Sequence, residues 1–114
     1  MQKERRKVKK YCMVFELKEE YVKDYADLHK NCSKEYIKAL KDCGIEDMSI
    51  FIYGNKTIIF YNCEDLNGWL KKLLDTKENK EWQKIINPLF KNIPSFEGSY
   101  EESSLEKVFD ISEI

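Results

Sequence analysis

The stretch KEEYVKDYADLHKNCSKEYIKALKDCG, residues 18–44, decides the fold. Its apolar and aromatic residues recur at spacings of three and four, the pattern of an amphipathic helix. The sequence therefore predicts one long helix over residues 18–43, with Gly44 where a left-handed helix end favours glycine. The stretch holds Tyr25 and, four residues later, His29, the only histidine of the chain. These two side chains share a helix face, so they either act on one ligand or pack in the core.

Strand-forming residues on both sides of this helix predict a sheet. Residues 8–17 are rich in Val, Tyr, Met and Phe and predict a first strand. Residues 48–53 and 57–61 predict a hairpin, because the turn residues 54–56 separate two nearly continuous apolar runs. Such runs are typical of strands covered on both faces. One face would meet the helices, and a second subunit would cover the other.

The second half of the chain predicts more helices and a last strand. Glu64 and Asp65 suit a helix N-terminus, and Thr76 would cap a further helix that contains Trp82. Residues 95–104, rich in Ser, Gly and Glu, predict a loop, and residues 105–111 predict a final strand. The resulting order, β-α-β-β-α-β, is the ferredoxin-like arrangement of the α+β class.

Composition and charge narrow the function classes. A chain of 114 residues suits a single domain over residues 1–114, with basic residues 1–7 as a frayed arm. With 20 Lys+Arg against 21 Asp+Glu, no global field favours nucleic acid or an anionic membrane. There is no apolar run of about eighteen residues and no secretory signal, so we expect a cytoplasmic protein. The four cysteines include no Cys-x-x-Cys pair; we expect reduced thiols and no metal site.

Few residues are left to carry chemistry, since the P-loop, dinucleotide, zinc-protease and serine-hydrolase motifs are all absent. His29 can move a proton near neutral pH, and Tyr25 can orient a hydroxyl. Trp82 offers a flat apolar surface for a small polyol, and Glu35 is a further candidate. Each has a structural interpretation too, because a lone histidine is more often structural than catalytic and Tyr25 and Trp82 suit a core. The residues alone indicate a small-molecule-binding or enzymatic α+β domain.

Short elements between residues 8 and 82 match a known pattern in order and spacing, and the similarity as a whole runs roughly over residues 7–111. They are Val8-Lys9-Lys10-Tyr11-Cys12, Asp24-Tyr25-x-x-x-His29, Glu35, Gly44-Ile45-x-Asp47-Met48-x-Ile50, Gly54-Asn55 and Glu81-Trp82. Together these elements resemble the L-rhamnose mutarotase family. The resemblance implies a homodimeric α/β barrel of ferredoxin-like subunits. It also implies an isomerase that interconverts the α and β anomers of a monosaccharide without a cofactor.

The resemblance assigns roles to five residues. His29 matches the family's catalytic proton donor, Tyr25 its substrate-contacting tyrosine, and Trp82 the first residue of a Trp-Trp pair. Gln83 replaces the second tryptophan of that pair. Met48 stands where the best-known branch of the family has a substrate-binding tyrosine, and other branches carry Met there.

The departures from the family pattern concern the wall of the pocket. Besides Gln83, the Trp-Pro-Glu element that usually follows the histidine reads Ser33-Lys34-Glu35 here, which keeps only the acid. The sequence thus predicts a mutarotase for L-rhamnose or a related deoxy-hexose such as fucose, acting by acid/base catalysis. The alternative is a non-catalytic sugar- or metabolite-binding module on the same dimeric scaffold. Another ferredoxin-like dimeric barrel, such as a cofactor-independent monooxygenase-type domain, is a third possibility.

Overall fold

The sheet has three antiparallel strands in the order β1-β3-β2. A computed structural model describes residues 8–92 and 105–113 of the chain. The strands are β1 (Lys9–Glu16), β2 (Ile45–Tyr53) and β3 (Lys56–Cys63). The helices are α1 (Val22–Lys30), α2 (Lys34–Asp42), α3 (Leu66–Leu74) and α4 (Lys77–Ile86), with short 3-10 turns at Glu19–Tyr21, Asn87–Leu89 and Ile111–Glu113. The predicted α+β class, first strand and hairpin are confirmed.

The single long helix predicted over residues 18–43 is wrong, because residues 31–33 divide it into α1 and α2. Ser33 has an extended backbone, and its hydroxyl accepts a hydrogen bond from the backbone N–H of Tyr36 at 3.1 Å. The Asn31 amide donates to the backbone carbonyl of Asp27 at 2.9 Å. Short polar side chains of this kind compete with helical backbone bonds and favour caps. Apolar spacing continues across the break and therefore does not reveal it.

The predicted glycine at the end of α2 and the predicted N-terminal caps of α3 and α4 are confirmed. Gly44 follows α2 with a φ of 119°, a region that favours glycine. Asp65 caps α3 by accepting from the backbone N–H of Gly68 at 3.0 Å, and Thr76 caps α4 by accepting from that of Asn79 at 3.1 Å. Each cap satisfies a backbone donor that the first turn of a helix leaves unpaired.

The strand predicted over residues 105–111 is also wrong. Residues 105–110 have no regular structure, although they follow the free edge of β1, where Leu105 N–H donates to the Cys12 carbonyl at 2.7 Å. Asp110 forms an ion pair with Lys10 at 3.1 Å and accepts from the Ser112 backbone N–H at 2.9 Å. This side-chain bond turns the chain and competes with a strand ladder. The predicted loop 95–104 and the predicted arm 1–7 lie outside the described residues.

The two faces of the sheet have different surroundings. The helices pack on one face and bury alternate strand residues, among them Met13, Ile59 and Cys63. The opposite face bears apolar side chains in the open, including Phe51 at 59% and Phe60 at 44% exposure, whose ring centroids lie 5.6 Å apart. In the part of the chain that the structure describes, no helix is long and apolar enough to cross a membrane.

Candidate active site

A cavity of about 170 Å³ lies between the helix-covered face of the sheet and the helices. The sheet contributes Phe15, Met48, Ile50, Ile59 and Tyr61 to its wall. All five residues that the resemblance assigned to the site line this cavity: Tyr25, His29, Met48, Trp82 and Gln83. The structure thus brings together side chains from α1, β2 and α4 that are up to 58 positions apart in the sequence (from Tyr25 to Gln83).

His29 is held in one orientation by its own helix. Its Nδ1 lies 2.8 Å from the backbone carbonyl of Tyr25, one turn earlier in α1. A carbonyl oxygen can only accept, so the Nδ1 atom carries the hydrogen and Nε2 keeps its lone pair. Burial lowers the pKa of His29 below its ordinary value, while the bond to the Tyr25 carbonyl raises it to a smaller extent. His29 is therefore neutral at pH 7, with a basic Nε2.

Tyr25 is buried at 2% exposure and packs against the imidazole, with the ring centroids 4.4 Å apart. Its hydroxyl accepts a hydrogen bond from Thr57 Oγ1 at 2.9 Å, on the fully buried side chain of a β3 residue. Burial raises the pKa of Tyr25, an effect that the bond from Thr57 partly offsets. The phenol therefore stays protonated at neutral pH, and because it accepts from Thr57, its own hydrogen is available to another group.

Trp82 touches both His29 and a tyrosine that the sequence did not single out. Its ring lies 5.0 Å from the His29 imidazole in an edge-on arrangement and 4.9 Å from the Tyr36 ring in a stacked one. Stacking by Tyr36 covers one face of the Trp82 ring. The flat surface predicted for a small polyol is thus already occupied on that face.

Four polar residues of the cavity wall were missed: Tyr36, Tyr61, Asn79 and Asn87. Tyr36 donates to Asn79 Oδ1 at 3.2 Å, and Asn79 is buried at 1% exposure. The sequence does hold a signal for Asn79, which precedes Trp82 by three residues in α4, a spacing that keeps one helix face. Helical spacing gives no signal for Tyr36, because His29 lies in α1 and Tyr36 in the separate helix α2. Tyr61 lies within a nearly continuous apolar strand, where alternation does not show which side chains point inward.

Glu35 does not belong to this cavity. It is exposed and lines a separate surface groove with Ser33 and Glu81. Ser33, which replaces a tryptophan of the family pattern, caps α2.

Metal ligands and reactive thiols are not gathered at the site. Within residues 8–92 and 105–113, no group of three or more His, Cys, Asp or Glu side chains could hold a metal ion. None of the four cysteines forms a disulfide, and burial raises the pKa of Cys12, Cys32 and Cys43. The polar groups on the cavity wall include the imidazole of His29 and the neutral hydroxyl and amide groups around it.

A small α+β domain with an aromatic cavity and a few convergent polar side chains has the features of a protein that binds a small molecule. Comparison with protein families agrees with this class. The family model described as L-rhamnose mutarotase matches residues 10–111, and the chain belongs to that family.

Two solved structures share the fold. A crystal structure of an L-rhamnose mutarotase from Formosa agariphila is similar with a TM-score of 0.67 at 19% identity, over 90% of this chain and 97% of the other. A conserved protein from Methanosarcina mazei Go1 is similar with a TM-score of 0.56 at 17% identity, over 75% and 82% of the two chains. No curated protein sequence matches the chain.

Proposed function

We propose that the protein is a mutarotase that interconverts the α and β anomers of L-rhamnose or a related deoxy-hexose such as fucose. The observation that carries this proposal is the basic Nε2 of His29, oriented by the Tyr25 carbonyl in a cavity also lined by Trp82 and Gln83. Membership of the mutarotase family supports the same reaction.

The proposed reaction needs one acid/base group. His29 Nε2 takes the proton from the anomeric hydroxyl as the bond between C1 and the ring oxygen breaks, and the imidazolium gives that proton to the ring oxygen. Both oxygens are bonded to C1, so a single imidazole can reach them in turn. The open-chain aldehyde then rotates about C1–C2, and the reverse steps close the ring on the other face. No proton is gained or lost overall, and no cofactor is needed.

Neighbouring residues support the transient charge and the ligand. The Tyr25 carbonyl accepts from Nδ1–H and stabilises the imidazolium as it forms, which is how it opposes the lowering of the His29 pKa by burial. The free hydrogen of the Tyr25 hydroxyl and the Gln83 amide would bind sugar hydroxyls. Met48 and the uncovered part of Trp82 would contact apolar C–H groups of the ring.

The proposal is tested by saturation-transfer NMR on L-rhamnose and L-fucose with catalytic amounts of protein. We expect the exchange between anomeric signals to become faster with the protein than without it. If the protein gains thermal stability with either sugar but never accelerates exchange, it is the binding module and not an enzyme. If the protein neither accelerates anomer exchange of any deoxy-hexose nor binds one, both functions are refuted.

A homodimer in the cytoplasm completes the proposal. On the open face of the sheet, the pairing of the strands places Val14, Ile58 and Phe51 in one cross-strand row, with Phe60 in the next row. Exposed apolar surface of this kind marks an interaction site, and a second copy is the occupant that we propose. The absence of disulfides among the four cysteines supports a reducing compartment.

A further inference from the structure

The hydroxyl of Tyr61 is a polar group of the cavity that the proposed reaction does not use. Tyr61 lies in the middle of β3 at 8% exposure, and its ring centroid is 5.2 Å from that of Trp69. Within the described part of the chain this hydroxyl makes no hydrogen bond. In that part of the chain, every side-chain oxygen or nitrogen atom that is fully enclosed has a hydrogen-bond partner. The Tyr61 oxygen therefore borders open space, and the open space that Tyr61 lines is the cavity.

Two other tyrosine hydroxyls of the cavity differ from this one. The Tyr25 hydroxyl is bonded to Thr57, and the Tyr36 hydroxyl donates to Asn79. Burial raises the pKa of Tyr61, and the neighbouring Tyr25 and Tyr36 raise it further. Tyr61 thus stays protonated at any physiological pH, as a neutral group that can both donate and accept.

The strand register places Tyr61 beside a residue already assigned to ligand binding. Tyr61 pairs directly with Met48 of the neighbouring strand, and both side chains line the cavity. Side chains of such a pair are close neighbours on one face of a sheet. The sheet wall beside Tyr61 also contributes the apolar side chains of Ile50, Ile59 and Phe15. On that wall, the Tyr61 hydroxyl is a polar group that no partner among the described residues occupies.

We propose that Tyr61 is a specificity-determining residue, whose hydroxyl forms a hydrogen bond with one hydroxyl of the bound pyranose. This assignment rests on the proposed function, since it requires a sugar in the cavity. A desolvated hydroxyl without a protein partner gains a bond only when the ligand supplies one. Sites of this kind discriminate strongly against analogues that lack the matching group, because the buried protein hydroxyl is then left unpaired.

Tyr61→Phe removes only the hydroxyl. We expect the dissociation constant for L-rhamnose, from titration of tryptophan fluorescence, to rise about 3- to 15-fold. The maximal exchange rate at saturating sugar should stay within about twofold, because the contact forms equally in ground and transition states. The melting temperature without sugar should not fall, because the hydroxyl has no protein partner to lose. Tyr36→Phe is the matched control: it breaks the bond to buried Asn79 and should lower that melting temperature.

A set of L-rhamnose analogues, each lacking one hydroxyl, identifies the contact. Wild type should bind one analogue markedly more weakly than L-rhamnose, and Tyr61→Phe should bind that analogue and L-rhamnose nearly equally. If wild type binds sugar and Tyr61→Phe binds it as tightly, this assignment is wrong while the proposed function stands. A fall in melting temperature as large as that of Tyr36→Phe would show a structural role instead. If wild type neither binds nor converts any sugar, both proposals are wrong.

Discussion

The two faces of the sheet carry similar residues but have different surroundings. Along β3, Ile59 and Tyr61 point to the helices and are nearly fully buried, while Phe60 between them points the other way and is 44% exposed. The helix-covered face encloses a cavity with an oriented histidine. The open face has an apolar patch with Phe51 and Phe60 exposed, and Phe60 also lines a groove formed with the segment 105–111. Apolar residues in a strand therefore do not by themselves show which face of the sheet meets the helices; only the fold shows this.

The largest effect that we expect comes from the helix-covered face. His29→Gln removes the basic nitrogen while keeping a side chain of similar size. The anomer exchange rate should fall about 100- to 10,000-fold, the usual contribution of a positioned acid/base group. Saturation-transfer NMR measures the rate, and sedimentation should show the same mass as wild type, because the substitution leaves the open face unchanged. Exchange at the wild-type rate in this variant would refute the role of His29.

The second prediction concerns the open face. Phe51→Lys places a charge on the patch, and in a symmetric dimer the change occurs twice. We expect dimer dissociation to become at least about 100-fold more favourable, because each copy loses a buried aromatic ring and buries an unpaired ammonium group. Sedimentation equilibrium over a concentration series measures the change. The matched control is Ile37→Lys, at an exposed apolar position of α2 away from the sheet. A wild-type protein that sediments as a monomer would refute the dimer itself.

The third prediction is the pH dependence of the cavity. The pKa of His29 is lowered by burial, so only below its ordinary value near 6.5 does the proposed base become protonated. Exchange should be flat at neutral pH and fall about tenfold per pH unit below the His29 pKa. The free energy of unfolding should change with pH in the same direction as the exchange rate. As the pH falls, His29 of the unfolded chain binds a proton before His29 of the folded chain does. The stabilising contribution of His29 is therefore complete above its pKa in the unfolded chain and is lost as the pH falls towards its lower pKa in the folded protein. Urea unfolding of wild type and His29→Gln at several pH values isolates this contribution, and an identical pH dependence in both would contradict it.

The sequence was most informative where one residue sets local geometry. Turn and cap residues were identified correctly at Gly54, Asp65 and Thr76 because each satisfies or shapes its own few neighbours. The helix break at Ser33 was missed because the prediction relied on apolar spacing. The Ser33 side chain nevertheless caps its helix as Asp65 and Thr76 do, by accepting a hydrogen bond from a backbone N–H three residues later. The final strand over residues 105–111 was predicted wrongly, because pairing with β1 depends on a distant edge and the bonds of Asp110 turn the chain there.

The site was predicted in part, for a related reason. His29 and Tyr25 could be placed together from helical spacing alone, and the resemblance added residues from other elements. Which face of Trp82 is free could not be predicted, because Tyr36 comes from another helix and covers one face only through tertiary packing. Whether Tyr61 points inward depends on whether the odd- or the even-numbered residues of β3 face the helices. A shift of the strand register by one residue would reverse its direction.

The fourth prediction has the smallest expected effect and compares the two faces of the sheet at adjacent residues of one strand. Ile58 and Ile59 are adjacent in β3, and Ile→Val removes one methylene group at either position. Ile59→Val should lower the free energy of unfolding by about 1 kcal/mol at any protein concentration, because Ile59 is buried within one chain. Ile58→Val should lower the free energy of unfolding only slightly under dilute conditions, where the protein is a monomer. The decrease should become larger as the protein concentration rises and a second copy covers the open face. Urea unfolding at two widely separated concentrations measures both, and an Ile58→Val cost that is independent of concentration would mean that no second copy covers this face.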